Sequence, residues 1–344
     1  MLSKVIGGDF DNSVSLNFEE NNSETFQYFF PKKIGPRSLN FFETATDGLA
    51  KIIIEINSIH HNSIQFWFPK HYCFETINRL KNKLNGLVDF SVNSFDSYSE
   101  IKRSKEQVNV LLVNHFNIYD DSAVSIIENH KKNGWITIED FVHAPLDILK
   151  TTADYSFNSL RKLSDIELAI CYTNPSNIEL SNEPSEYYKI KKEAALLKSN
   201  FLENGNVELE IKYLTLFKKA EASLDRKDIF AAFEKEVERA KKINWRALLE
   251  VRIKNYNFLS NKLSTEKTIS LLQGKYMYLI TKAAKRNDLK KFMFDNSIFP
   301  VIHWHDSDDK IKEQIISFHI DQRYNISDMV RTYDTINRFY EINE

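Results

Sequence analysis

Two segments carry residue types that could do chemistry. The first is Ile138-Glu139-Asp140-Phe141-Val142-His143-Ala144, where acids follow a short apolar run. A carboxylate at the end of a buried strand is partly desolvated and stays ionised only beside a cation or hydrogen-bond donors. The same position also suits an aspartate that merely caps a helix. The second is Ala153-Asp154-Tyr155-Ser156-Phe157-Asn158-Ser159-Leu160-Arg161-Lys162. A strand here runs into a Ser/Asn turn, which can hold an anion through hydroxyls and backbone N–H groups. A lysine in such a turn, desolvated or set beside positive charge, is a nucleophilic amine. The plainer alternative is that Arg161 and Lys162 are solvated charges at a turn.

Other residues of these types carry less. His60-His61 and His303-Trp304-His305 have neither helical i,i+4 spacing around a glutamate nor a Cys-x-x-Cys partner, so a metal centre is not expected. His115, at a strand end, is a candidate for the pocket. Cys73 and Cys171 make no disulfide framework and are expected to be buried apolar thiols. Phe66-Trp67-Phe68 is expected in the core, and Lys254-Asn255-Tyr256 on a structural helix.

The elements that must position these groups follow from periodicity. Ser63–Phe68, Asp89–Val92, Val108–Val113, Trp135–Ile138, Asp154–Phe157 and Glu167–Tyr172 read as strands. Leu49, Ile52, Ile53 and Ile56 share a helical face, and Ala123, Ile126 and Ile127 begin another that stops at Asn133-Gly134. Alternating strands and helices imply an α/β fold with a mostly parallel sheet flanked by helices. Ligands of such sheets sit beyond the carboxyl ends of the strands, where Asn114, His115 and Asp140 fall. From Pro184 to about Leu263 the pattern is helical. The charge runs Lys189–Lys192 and Glu234–Lys242 are expected to be solvated helix faces. The division expected is a large domain, 1–244, and a smaller α/β domain, 245–344.

Composition narrows the partners. The chain has 344 residues, 42% hydrophobic and 27% charged, ordinary values for a folded protein. Its net charge of -2 with dispersed basic residues gives no reason to expect nucleic acid or an anionic membrane. Asp9 interrupts the N-terminus before any signal-like apolar stretch, and no run reaches the roughly 18 apolar residues of a membrane span. A cytoplasmic location is expected. There are only 8 glycines, about a third of the usual share of about 7%.

Taken in order, several motifs resemble the DegT/DnrJ/EryC1/StrS aminotransferases. The strand ending Glu-Asp-x-x-His-Ala is followed by Ser-Leu-Arg-Lys, whose Lys162 lies 22 residues beyond Asp140. The latter looks like a divergent branch of the family. Phe68-Pro69-Lys70-His71-Tyr72-Cys73, Val113-Asn114-His115-Phe116, Phe299–Trp304 and Asp321–Tyr324 resemble further family segments in the family's order. The resemblance implies the fold-type-I architecture of pyridoxal phosphate (PLP)-dependent transferases and a homodimer. It implies a PLP-dependent aminotransferase acting on small molecules, a nucleotide-linked keto sugar and an amino-acid donor, for surface polysaccharide or glycoside biosynthesis. Lys162 would carry the cofactor and move protons, and Asp140 would keep its pyridine nitrogen protonated. His143 would lie near the ring, and Tyr72 or Cys73 against its face. Ser156 or Ser159 would bind the phosphate with the helix start at Ala45 and Thr46. Ala45 stands where relatives carry glycine, Asp47 adds a negative charge beside it, and no glycine-rich stretch follows Lys162. These departures leave open a non-catalytic relative, and Asp140 with Lys162 would serve dehydration or racemisation equally.

Overall fold

The computed structural model describes residues 4–12, 16–20, 24–116, 120–175, 178–264, 269–272, 277–303 and 314–343. In chain order its strands are β1 (Ile6–Gly7), β2 (Lys33–Ile34), β3 (Arg37–Phe42), β4 (Ile64–Pro69), β5 (Phe90–Phe95), β6 (Val108–Asn114) and β7 (Ile136–Asp140). β8 (Tyr155–Phe157), β9 (Ala169–Thr173), β10 (Ile269–Leu271), β11 (Tyr278–Ala283), β12 (Ile298–Phe299) and β13 (Ile315–His319) follow. The helices are α1 (Glu24–Phe29), α2 (Ala45–His60), α3 (Phe74–Leu84), α4 (Ser122–Lys132) and α5 (Glu186–Asn204). After them come α6 (Val207–Ser223), α7 (Glu234–Lys242), α8 (Trp245–Leu263), α9 (Arg286–Asp295) and α10 (Ile326–Asn343).

The largest sheet has the order β2-β3-β9-β8-β7-β6-β4-β5. Strands β5, β4, β6, β7 and β8 are mutually parallel, whereas β9 runs against β8 and β3 against β9. Chain order reverses between β4 and β6, and this is where α/β sheets open a crevice for ligands. Strand alternation builds the two covered faces. Val110 and Leu112 pack with Leu49, Ile52 and Ile56 of α2, while Leu111 and Val113 pack with Ala123 and Ile127 of α4. That double burial explains the unbroken apolar run of β6.

Helix α2 is set by its caps. Thr44 accepts a hydrogen bond from the Asp47 amide, and His61, in the left-handed region with φ 53°, ends the helix through its N–H to Asn57 O. Gly48 lets the helix close on the sheet: a Cβ there would stand 2.1 Å from Cys171 Sγ.

Several expectations need correction. Strand β3 and its partner β2 were not read as strands, because Asn40 interrupts the apolar pattern; inside the sheet Asn40 bonds Thr173 Oγ1 at 2.8 Å and Ser38 O at 3.1 Å. Cys73 is exposed, and only Cys171 is buried. The charge runs are not simple solvated faces: Lys191 and Glu236 are buried, the latter bonded to the Glu167 amide and Tyr188. The opening segment departs from the expected 1–244 unit. Strand β1 pairs with β12, Ile6 enters the C-terminal core, and Gly7 N–H donates to Tyr324 Oη at 2.7 Å. Trp304 and His305 lie outside the described residues.

That C-terminal core is built on the antiparallel sheet β10-β11-β13 with α9, α10 and the last turns of α8. The first turns of α8, with Trp245 and Leu248, pack instead in the core beneath the large sheet.

Candidate active site

Strand alternation gives the acid pair at the end of β7 two different surroundings. Asp140 lies on the face of Ile138 and α2, and lines a cleft of about 1810 Å³ at the carboxyl ends of the parallel strands. Its carboxylate accepts from Val142 N–H at 2.7 Å and, through a short bond, from Tyr72 Oη. Burial outweighs these donors and the positive charge of Lys162, and pushes its pKa up to about 6. Glu139 points the other way and is tied down by His115 Nε2 at 2.9 Å, Thr151 Oγ1, and the amides of Thr152 and Ala153. His115 Nδ1 accepts from the Asp120 amide at 3.2 Å, so Nε2 carries the proton given to Glu139. His115 reaches the cleft but serves to orient the end of β6.

Lys162 reaches the same cleft from the turn after β8. Asn158 shapes that turn, donating to Pro145 O at 2.9 Å and accepting from Ile170 N–H at 3.2 Å. Leu160 N–H bonds Leu168 O at 2.8 Å. The carbonyl of Leu163, next to the lysine, accepts from Arg252 at 2.8 Å and Gln322 at 2.6 Å, which fastens the turn to the C-terminal elements. Burial, then the Arg161 guanidinium, push the Lys162 pKa down, toward a neutral and nucleophilic amine. His143 stacks on Phe116 with centroids 5.1 Å apart, and burial, Lys162 and His303 hold its pKa well below the usual histidine range.

The third wall is the N-terminus of α2. Ala45 and Thr46 line the cleft, and as first-turn residues their N–H groups have no acceptor within the helix. Asp47 does not oppose an anion there. Its carboxylate is buried behind the turn, 2.9 Å from Lys83 Nζ and bonded to Thr44 Oγ1 at 2.7 Å. Ser159 faces the cleft with a buried Oγ that has no hydrogen-bond partner. Ser156 does not join it. Its register partners are Glu139 and Tyr172, so its side chain lies on the opposite face of the sheet from Asp140. Of Tyr72 and Cys73, only Tyr72 engages the buried floor; the exposed Cys73 thiol donates to Glu75 at 3.3 Å.

The structure therefore brings Asp140, His143, Lys162, Ser159, Ala45, Thr46, Tyr72 and Cys73 to one cleft and leaves Ser156 out. It adds groups that sequence reasoning had not placed in the site. Arg161, Lys191 and Glu221 form a charged wall, and the Arg323–Asp321 ion pair, 2.8 Å apart, closes the C-terminal side. No sequence signal marked Lys191, which looks like its neighbours in a charge-rich run and is set apart only by the fold that buries it. Among the described residues, no group of three His, Cys, Asp or Glu could hold a metal, and no helix is long and apolar enough to cross a membrane.

No family profile matches the chain, and no curated protein matches it either. Solved structures do. An aminotransferase, TlmJ, from Streptoalloteichus hindustanus superposes with a TM-score of 0.63 at 11% identity over 99% of this chain and 100% of that one. Helicobacter pylori PseC, an aminotransferase of pseudoaminic acid biosynthesis, gives 0.60 at 11% identity over 97% and 93%. A DegT DnrJ EryC1 StrS aminotransferase from Brucella abortus gives 0.52 at 10% identity over 94% and 91%. At these identities the likeness carries the fold, which is the fold-type-I α/β architecture of PLP-dependent transferases.

Proposed function

We propose that the chain binds PLP in this cleft and uses it as an aminotransferase, with a nucleotide-linked keto sugar as amino acceptor and an amino acid as donor. The observation that carries the reading is the convergence of Asp140, Lys162 and the α2 N-terminus on one cleft. The residues fit the cofactor. Ser159 Oγ, buried without a partner, and the open N–H groups of Ala45 and Thr46 match a phosphate, and Asp140 matches a protonated ring nitrogen. Bound PLP would supply an electron sink for the substrate carbon.

The chain's own groups supply the rest. Lys162, whose pKa burial and Arg161 lower, is the amine that can hold the cofactor and shuttle a proton. Asp140 gains a partner for its buried charge once a cation lies against it, in place of the neutral Tyr72 hydroxyl. His143, neutral and stacked on Phe116, presents an apolar edge and one nitrogen to the same space. The assignment of a keto sugar follows the structural resemblance to sugar aminotransferases; a homodimer and a cytoplasmic location are part of the same proposal.

The test is transfer itself. Protein incubated with PLP and L-glutamate should release 2-oxoglutarate in an amount stoichiometric with the cofactor, and Lys162→Ala should abolish the release. Cofactor binding without any keto-acid release would refute transamination and turn attention to dehydration.

A further inference from the structure

One carboxylate in the wall of the cleft is gripped by cations from three separate elements. Glu221, at the end of α6, lies 3.0 Å from Arg161 of the lysine turn, 3.7 Å from Lys191 of α5 and 3.4 Å from Arg79 of α3. Arg79 also donates to the Glu221 backbone carbonyl at 2.9 Å, and its remaining arm holds Asp225 at 2.9 Å, so it anchors the helix end itself. Arg161 is fixed from behind by Tyr187 Oη at 3.0 Å, whose hydroxyl is held in turn by Glu167 at 2.6 Å. Lys191 is fixed by Asp9 at 3.0 Å. The two cations are thus rigid and largely buried, whereas the Glu221 side chain remains 40% exposed. An immobile pair of donors with a half-solvated carboxylate seated on it has the form of a receptor holding an internal ligand.

The charge count favours exchange for another carboxylate. Arg79, Arg161 and Lys191 face Glu221, Asp9, Asp225 and, behind Tyr187, Glu167. One carboxylate group seated on the pair as Glu221 swings toward solvent would leave the charge at that point unchanged, whereas a diphosphate would put two or more charges there. Burial raises the Glu221 pKa, but Arg161, Lys191 and Arg79 more than reverse this, so Glu221 is ionised and an equivalent anion meets the same field. Arg161 adjoins Lys162 in sequence, and both line the cleft.

We infer that Arg161 and Lys191 form a carboxylate-binding subsite beside Lys162, which Glu221 occupies until the carboxylate of an amino-acid donor displaces it. The identity of the ligand as the donor rests on the proposed aminotransferase reading; the subsite rests on the geometry. The exchange lets one cleft accept a donor that carries a carboxylate and an acceptor that lacks one, because Glu221 returns to neutralise the cations between them.

Calorimetric titration of the purified full chain with glutarate, which cannot react, tests this directly, with neutral glutaramide as control. Glutarate should bind and glutaramide should not. Arg161→Gln should weaken glutarate about tenfold, the loss of one charge-assisted contact. Glu221→Gln should tighten it several-fold, because the internal competitor loses its charge. That opposite sign is not expected of a residue that only supports the wall, and it decides the matter even if Arg161→Gln fails to fold. Glutarate binding that is weakened or unchanged in Glu221→Gln would overturn the subsite, as would displacement of glutarate by uridine diphosphate at lower concentration. A wild-type protein that binds glutarate as expected yet gives no visible cofactor band with PLP would overturn the donor assignment and the aminotransferase reading together, leaving the subsite standing.

Discussion

Replacing Asp140 with asparagine should make the cofactor-free protein more stable while removing the acid on which the proposed chemistry depends. Burial raises the Asp140 pKa from its ordinary 3.8 to about 6. The folded state therefore holds the proton more tightly than the unfolded chain does. Stability from this group is full below 3.8 and is lost as pH rises through 6. At 1.36 kcal/mol per pH unit the ionised group costs about 3 kcal/mol at pH 8. Asparagine does not titrate, yet it can still accept from the Val142 amide. For a chain of 344 residues, an unfolding entropy of about 2.1 cal/mol/K per residue converts that gain to a rise of about 4 °C in Tm. Calorimetry of wild type and variant, both stripped of cofactor, should show a small difference at pH 4 and the variant ahead at pH 8. Saturating PLP should reverse the order by stabilising only the wild type strongly. A variant that is less stable at pH 8, or offset equally at both pH values, would refute the claim that Asp140 is held as a costly buried acid.

Three further outcomes follow from the packing around the site. Ser159→Ala should leave the cofactor-free protein within about 1 kcal/mol of wild type, because the hydroxyl has no partner to lose. The same change should weaken PLP about tenfold, the worth of one charge-assisted phosphate contact, whereas Ser156→Ala should leave PLP affinity alone; equilibrium titration distinguishes them. Gly48→Ala should destabilise by about 1–3 kcal/mol through overpacking against Cys171 Sγ. Cys171→Ala should restore much of that loss in the double variant, as read by a double-mutant cycle in urea. Lys83→Met should cost about 3–5 kcal/mol by stranding the buried Asp47 carboxylate; a loss below about 1 kcal/mol would show that the Arg226 guanidinium, 3.8 Å from the same carboxylate, suffices to hold it.

Much of the sheet could be read in advance because its central strands are buried on both faces. Continuous runs such as Val110–Val113, ended by polar residues at the carboxyl edge, fixed both the strands and the place where chemistry would collect. Asp140 and Lys162 stood out as candidates for that reason, since each follows a strand where the chain leaves the sheet, while the roles expected of them came from the family resemblance. Strand β3 was not legible, since its central Asn40 finds its side-chain partner on a strand 133 positions away. The same limit hid the charged wall. Nothing in the α5 sequence tells Lys191 from the exposed Lys189, because the difference lies in Asp9, 182 positions away, and Glu221 of the following helix. Ser156 and Ser159 look interchangeable as letters, and only the fold separates them: strand register turns Ser156 to the face away from Asp140, while Ser159, past the strand end, lines the cleft. Asp47 looked hostile to an anion until Lys83, on the following helix, was seen to take its charge.

The central claim is that this cleft carries PLP on Lys162. Borohydride reduction of the PLP-treated protein, followed by peptide mass mapping, tests it most directly. The account predicts a visible absorption band that reduction abolishes and a phosphopyridoxyl group fixed on Lys162 alone. A band that leaves Lys162 unlabelled, or a label spread over surface lysines, would contradict it.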